Sequence, residues 1–131
     1  MTRKFRQYKL PALVWGIIIL ALTSYPRLKI PDIGFDATDK VAHLGVYLVF
    51  GFLLLRAFAE ENPLALRMAN VRTLLFGISF AVFDELHQLF IPGRSCDVWD
   101  ALADILGVLL GHFLYYAIIV RSMKRSLARS E

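Results

Sequence analysis

Four long apolar runs dominate the chain. The first spans Leu10 to Tyr25, and Pro11 suits a first helical turn. The second spans Val41 to Leu55. The third runs from Thr73 to Phe90 and is interrupted by Asp84, Glu85 and His87. The fourth runs from Val98 to Val120, with Asp100 and Asp104 in its first turns. Each approaches the roughly 20 residues that a bilayer core demands of a helix. The pattern predicts an all-α polytopic membrane protein, a bundle of four transmembrane helices over about 10–25, 39–58, 71–90 and 97–120. All 131 residues are expected in one domain.

The breaks between runs have physical causes. Tyr25-Pro26 and Ile30-Pro31 stop the first helix, because the residue before proline is pushed out of helical geometry. Glu61-Asn62-Pro63 and Ile91-Pro92-Gly93-Arg94 mark the next two connections. Thr38 suits an N-cap of the second helix, with Asp39 favourable at the positive end of its dipole. Gly107 and Gly111 form a small-xxx-small pair suited to close helix packing.

Composition supports lipid as the solvent. Hydrophobic residues make up 57% of the chain and mean hydropathy is +0.55. A chain this short has too much surface to bury that much apolar area in water. The formal charge of +4 does not point to nucleic acid, because the cations flank apolar runs instead of interleaving with aromatics. Cys96 is the one cysteine, so neither an intramolecular disulfide nor a cysteine-based metal cluster is open to the chain.

The cations set the expected orientation. Arg3, Lys4, Arg6 and Lys9 precede the first run, Arg56, Arg67 and Arg72 surround the middle connection, and Arg121, Lys124, Arg125 and Arg129 close the chain. The positive-inside rule then puts both termini in the cytoplasm, and the expected location is the bacterial cytoplasmic (inner) membrane, crossed four times. A cleaved signal peptide is the competing reading of the first run, but Ala21-Leu22-Thr23-Ser24-Tyr25 makes a poor cleavage site.

Acidic residues gather toward the opposite, outer side. Asp84 and Glu85 lie roughly 8–9 Å below the end of the third helix at 1.5 Å per residue, and Asp104 lies about as deep in the fourth. Asp39, His43 and Tyr47 follow at i, i+4 and i+8, one stripe of the second helix. Asp84 and Gln88 share a face of the third helix, with His87 beside them, and Asp97, Asp100 and Asp104 cluster on the fourth. Ionisable groups at one depth in a membrane should face each other or a wet recess, and they mark a functional site by default. Each member alone has a plainer reading. Asp39 and Lys40 could be interfacial charges, His43 a packing residue, Asp97 a helix cap, and Asp100 and Asp104 partners of Arg94. His112 lies too far along the fourth helix to join them.

Three stretches carry a resemblance. Asp39-Lys40-Val41-Ala42-His43-Leu44-Gly45-Val46-Tyr47 resembles the D-K-x-x-H-x-x-x-Y motif of the VanZ-like membrane protein family. Asp84 to Arg94 resembles its D-E-x-x-Q-x-F-x-P-G-R motif, and Asp100 to Gly111 its D-x-x-x-N-x-x-G-x-x-x-G motif. Asp104 departs from the last, where the family usually has asparagine. The resemblance implies a small multi-helix membrane domain without a settled activity.

Two functions compete. In the first, the recess binds an envelope lipid headgroup, a glycopeptide-like ligand or a partner's polar loop, with Asp39, Lys40, Tyr47, Gln88, Arg94, Asp100 and Asp104 as ligand-binding residues. In the second, the chain is an enzyme acting on a membrane lipid or lipid-linked envelope precursor. Glu85 or Asp84 would then be general base, His43 its partner, and Arg94 a phosphate clamp. Binding is preferred, since the chain has no P-loop, nucleophile elbow or H-E-x-x-H. A zinc or manganese site of His43, Asp39, Glu85, His87 and Asp100 is a weaker third reading, and neither a metal nor a cofactor is assigned. A proton relay is disfavoured because the groups sit on one side. A purely structural network of ion pairs stays open.

Overall fold

The computed structural model describes residues 3–26, 38–59 and 66–129. A π-helical segment, Phe5–Lys9, runs into α1 (Leu10–Thr23), followed by α2 (Thr38–Ala59), α3 (Leu66–Gln88) and α4 (Val98–Leu127). With the π-helical segment counted into the first, giving Phe5–Thr23, all four are long and apolar enough to cross a membrane. The expected all-α bundle of four spans is therefore what forms. Thr38 is the first residue of α2, and its side chain lies outside the described residues.

Two boundaries differ from expectation. The third helix starts at Leu66, not near residue 71, because Leu66, Arg67, Met68 and Ala69 are all strong helix formers. The fourth continues to Leu127, past the apolar run, and its last turn carries Lys124 and Arg125. Cations there favour the negative end of the helix dipole.

Contacts define the topology. Tyr47 meets Asp84 and Leu54 lies against Gly77, so α2 and α3 are antiparallel. Trp15 donates its indole N–H to the Val46 carbonyl at 2.9 Å, and Arg56 lies over the Tyr8 ring at 5.1 Å. α1 therefore runs antiparallel to α2, with the basic N-terminal segment beside the end of α2. The helices alternate in direction, which makes α2 and α4 parallel. These two share the largest interface. Lys40 pairs with Asp100, His43 with Asp104, and Leu44 faces Gly107, a nearly constant register along the seam.

The outward faces are apolar. Ile17 on α1, Leu75 and Phe83 on α3, and Leu102 and Phe113 on α4 are all exposed, as lipid-facing side chains should be. Inside, Ile19, Tyr47, Phe50, Leu54, Ala81 and Val108 form the main core. Phe50 and Phe80 meet with ring centroids 4.8 Å apart at a tilt of 48°, and both contact the Tyr47 ring. That aromatic layer separates the polar end of the bundle from the rest.

Candidate functional site

Polar side chains from all four helices converge at the end where α1 and α3 finish and α2 and α4 begin. Helical spacing explains the convergence: Lys40, His43 and Tyr47 recur every three to four residues, as do Asp97, Asp100 and Asp104, so each set faces the bundle axis.

Asp84 is fully buried and ties three helices together. Its Oδ1 accepts from the Thr23 hydroxyl at 2.7 Å and its Oδ2 from the Tyr47 hydroxyl at 2.8 Å. Glu85, 2% exposed, accepts from the Gln88 amide at 3.0 Å and from the Asp97 backbone N–H at 2.6 Å. The second bond fixes the start of α4 against the end of α3. His43 Nδ1 lies 2.9 Å from Oδ1 of Asp104, which is also fully buried. Oδ2 of Asp104 is buried without a hydrogen-bond partner among the described residues.

Two cations frame the cluster. Lys40 donates to Asp100 at 2.8 Å and to Asp97 at 3.0 Å. Arg94 follows Gly93, whose φ of 84° lies in the left-handed region that favours glycine. The turn aims Arg94 back at the bundle, where it donates to the Gln88 side chain at 3.5 Å and to the Leu22 carbonyl at 3.2 Å. Its Nε is buried with no hydrogen-bond partner among the described residues. Arg94 is thus not the partner of Asp100 or Asp104, the plainer reading of those acids. Lys40 is the nearer cation, because it shares the parallel α2–α4 seam with Asp100, while Arg94 enters from the α1 side.

A recess of about 110 Å³ opens beside the cluster. Asp39, His43, Tyr47, Thr23 and Arg94 supply its polar lining, and Ile19, Leu22 and Val46 its apolar wall. Asp39, Lys40, His43, Tyr47, Asp84, Glu85, Gln88, Arg94, Asp100 and Asp104 therefore all lie at the same end. His87 stacks on Phe83 on the flank of α3, and His112 on Tyr116 far along α4. Sequence reasoning missed Thr23, whose only signal is a hydroxyl at the end of an apolar run, and the Leu22 carbonyl, which carries no signal at all. Cys96 is exposed and free.

Asp97 does cap α4, accepting from the Trp99 N–H at 2.9 Å. That hydrogen bond first, and Lys40 second, hold its carboxyl below the usual carboxylate range. A depressed folded pKa stabilises above the unfolded value of about 3.9 and is lost as pH falls through the lower folded value. The start of α4 should stay capped down to about pH 4 and loosen only below it. The Trp99 amide resonance, followed by NMR against pH, should shift in that acid window and not in Asp97→Asn. A shift that persists in the variant would belong to Glu85, which accepts from the Asp97 N–H.

The fold and the site define a multi-pass membrane protein with a polar cluster at one end of a four-helix bundle. The VanZ/LLP1 family model matches residues 3–121, and the chain belongs to that family. It is similar to an uncharacterised protein of Schizosaccharomyces pombe, 32% identical over 108 residues, an alignment covering 76% of this chain and 61% of the relative. The match thus spans about three fifths of that relative's length. No solved structure matches the chain.

Proposed function

We propose that the chain binds the phosphate-bearing headgroup of an envelope lipid in the recess between α1 and α2. The observation that carries this reading is Arg94. Its guanidinium borders the recess, spends two N–H groups on neutral acceptors, and has a buried Nε without a partner among the described residues. A guanidinium with spare donors suits a phosphate oxygen better than any other group a membrane offers. Tyr47 and Thr23, both held by Asp84, shape the recess, and Lys40, held by Asp97 and Asp100, is a second cation at the same end of the bundle. Gln88 orients the arginine, and Asp39 lies at the mouth.

A second cavity, which shares no lining residue with the recess, is apolar enough for an acyl chain. An apolar groove of about 360 Å³ follows α1 past Leu13, Gly16 and Leu20 to Phe50, Leu54 and Phe80. Headgroup and tail together describe a membrane lipid or lipid-linked precursor, and no nucleic acid. The membrane is a bacterial cytoplasmic membrane, with both termini on its cytoplasmic side and the recess in the outer leaflet. The support for that orientation is the basic N-terminal segment lying beside Arg56 at the end away from the recess.

Protein in nanodiscs should bind anionic phospholipid or polyprenyl phosphate saturably. Arg94→Ala should weaken binding by about 10-fold or more, the loss of a charged hydrogen bond. Arg94→Lys should recover part of it. Equal affinity for wild type and Arg94→Ala would remove the site from consideration.

A second reading has its own observation. His43 lines the recess and its Nδ1 is paired with the Asp104 carboxylate, the arrangement of an oriented general base. Glu85 lies beside them, with a ligand atom within 4.8 Å of both His43 and Asp104. In that reading the chain is an enzyme, and the same lipid incubations should release a product from wild type but not from His43→Gln. Binding without product leaves the headgroup-binding reading alone.

A further inference from the structure

Three carboxylates and an imidazole share the buried end of the bundle, and among the described residues no lysine or arginine bonds any of the three. Asp84 bonds two hydroxyls, Glu85 an amide and a backbone N–H, and Asp104, among the described residues, only His43. Lys40 pairs with Asp97 and Asp100, and Arg94 donates to Gln88 and the Leu22 carbonyl, not to these three acids. Burying ionised carboxylates away from water is costly unless a positive charge meets them.

One set of groups is arranged to accept that charge. His43, Glu85 and Asp104, from α2, α3 and α4, each bring a ligand atom within 4.8 Å of the other two. Around a zinc ion, ligand atoms at about 2.0–2.2 Å stand roughly 3.4 Å apart in tetrahedral geometry. Closing the set therefore needs each pair of ligand atoms to approach by at most about 1.5 Å. Independently of the cluster, Asp104 is fully buried and its Oδ2 lacks any hydrogen-bond partner among the described residues. Buried polar atoms normally have partners, so this one asks for a missing one.

A second trio, Asp39, His43 and Asp100, has similar spacing. There Asp100 is already neutralised by Lys40 at 2.8 Å, which leaves it a weaker ligand. The set that fits is also not the one read from sequence. Asp104 replaces Asp39, His87 and Asp100, and it stands where the resembled motif has an amide.

We propose that His43, Glu85 and Asp104 form a divalent metal site for zinc or manganese. One imidazole nitrogen with two carboxylates suits those ions better than the all-oxygen shells of magnesium or calcium. Three protein ligands leave at least one coordination position open, as in sites that hold water or a ligand oxygen. His43 also lines the recess, so that position adjoins the space beside Arg94. The site stands whether or not a lipid is the recess ligand.

The test is metal content of the full chain in nanodiscs, stripped with chelator and reloaded separately with Zn²⁺, Mn²⁺ or Mg²⁺. Wild type should retain about one Zn²⁺ or Mn²⁺ per chain after desalting, and the metal should raise its unfolding temperature. Asp104→Asn and Glu85→Gln, nearly isosteric, should each weaken binding at least about 10–100-fold. Asp100→Asn should retain the ion. Co²⁺ loading provides a readout free of stability: a visible ligand-field band in wild type and Asp100→Asn, absent in Asp104→Asn. Retention only of Mg²⁺, substoichiometric metal in wild type, or equal retention in Asp104→Asn and Glu85→Gln would overturn the proposal. So would loss in Asp100→Asn with retention in Glu85→Gln.

Discussion

Gly111→Leu should collapse the bundle, with the largest loss of stability of any single change on the α2–α4 seam. A Cβ at Gly111 would overlap the Leu48 carbonyl oxygen, and at Gly107 it would come within 2.5 Å of the Leu44 carbonyl oxygen. Gly51 on the facing helix meets the backbone of Val108 in the same way. The obstructing atoms are backbone, so no rotamer change relieves the clash. Overpacking commonly costs about 1–3 kcal/mol, and a rigid obstruction places this variant at or beyond the top of that range. Parting α2 from α4 also separates His43 from Asp104 and Lys40 from Asp100. Gly45 provides the control, since a Cβ there meets nothing within 4 Å. Gly45→Ala should be neutral or gain up to about 1 kcal/mol of helix propensity. Thermal unfolding in detergent compares them directly. A Gly111→Leu protein as stable as wild type would show that the seam is looser than its backbone contacts imply.

The seam illustrates what was legible beforehand. Gly107 and Gly111 announce close packing by their spacing, but no local pattern says that α2 is the partner or that Gly51 completes the contact. Span number was readable because hydropathy acts residue by residue. The boundaries of α3 and α4 were less so, because helix propensity carries a helix past the apolar run that hydropathy detects.

The polar end divides along the same line. Helical spacing alone put Asp39, His43 and Tyr47 on one stripe and Asp97, Asp100 and Asp104 on another. Pairing needs register between helices, which spacing within one helix does not contain. Hence the Lys40–Asp97–Asp100 bridge, the His43–Asp104 pair and the Thr23–Asp84 bond emerged only from the fold. The register itself follows from the glycine seam: once Leu44 sits on Gly107 and Leu48 on Gly111, Lys40 and His43 face Asp100 and Asp104. Packing of small residues thus determines the chemistry one to two turns away.

The Asp84 tie carries the second large effect. Its two oxygens hold Thr23 of α1 and Tyr47 of α2 against α3. Removal of Asp84 does not strand the two hydroxyls equally. Thr23 also donates to the Ile19 and Leu20 carbonyls at 3.0 and 3.3 Å, so it keeps a partner within its own helix. Tyr47 is 1% exposed, and its hydroxyl has Asp84 as its bonded partner among the described residues. Asp84→Ala should therefore cost about 1–3 kcal/mol through the orphaned Tyr47 hydroxyl, plus the loss of the α1 tether. Tyr47→Phe alone should cost a comparable amount, because it strips a donor from a buried carboxylate. The double variant should then be less destabilised than the sum, with a coupling energy of about 1 kcal/mol or more. Thr23→Val should be the mildest of the set for stability, yet it should loosen α1, widening the recess wall formed by Ile19 and Leu22. Reversible unfolding of the four proteins in mixed micelles measures the cycle. Strict additivity of Asp84→Ala and Tyr47→Phe would mean that the hydroxyl and the carboxylate act independently, and that packing of Tyr47 on Phe80 holds α2 to α3 without help from the hydrogen bond.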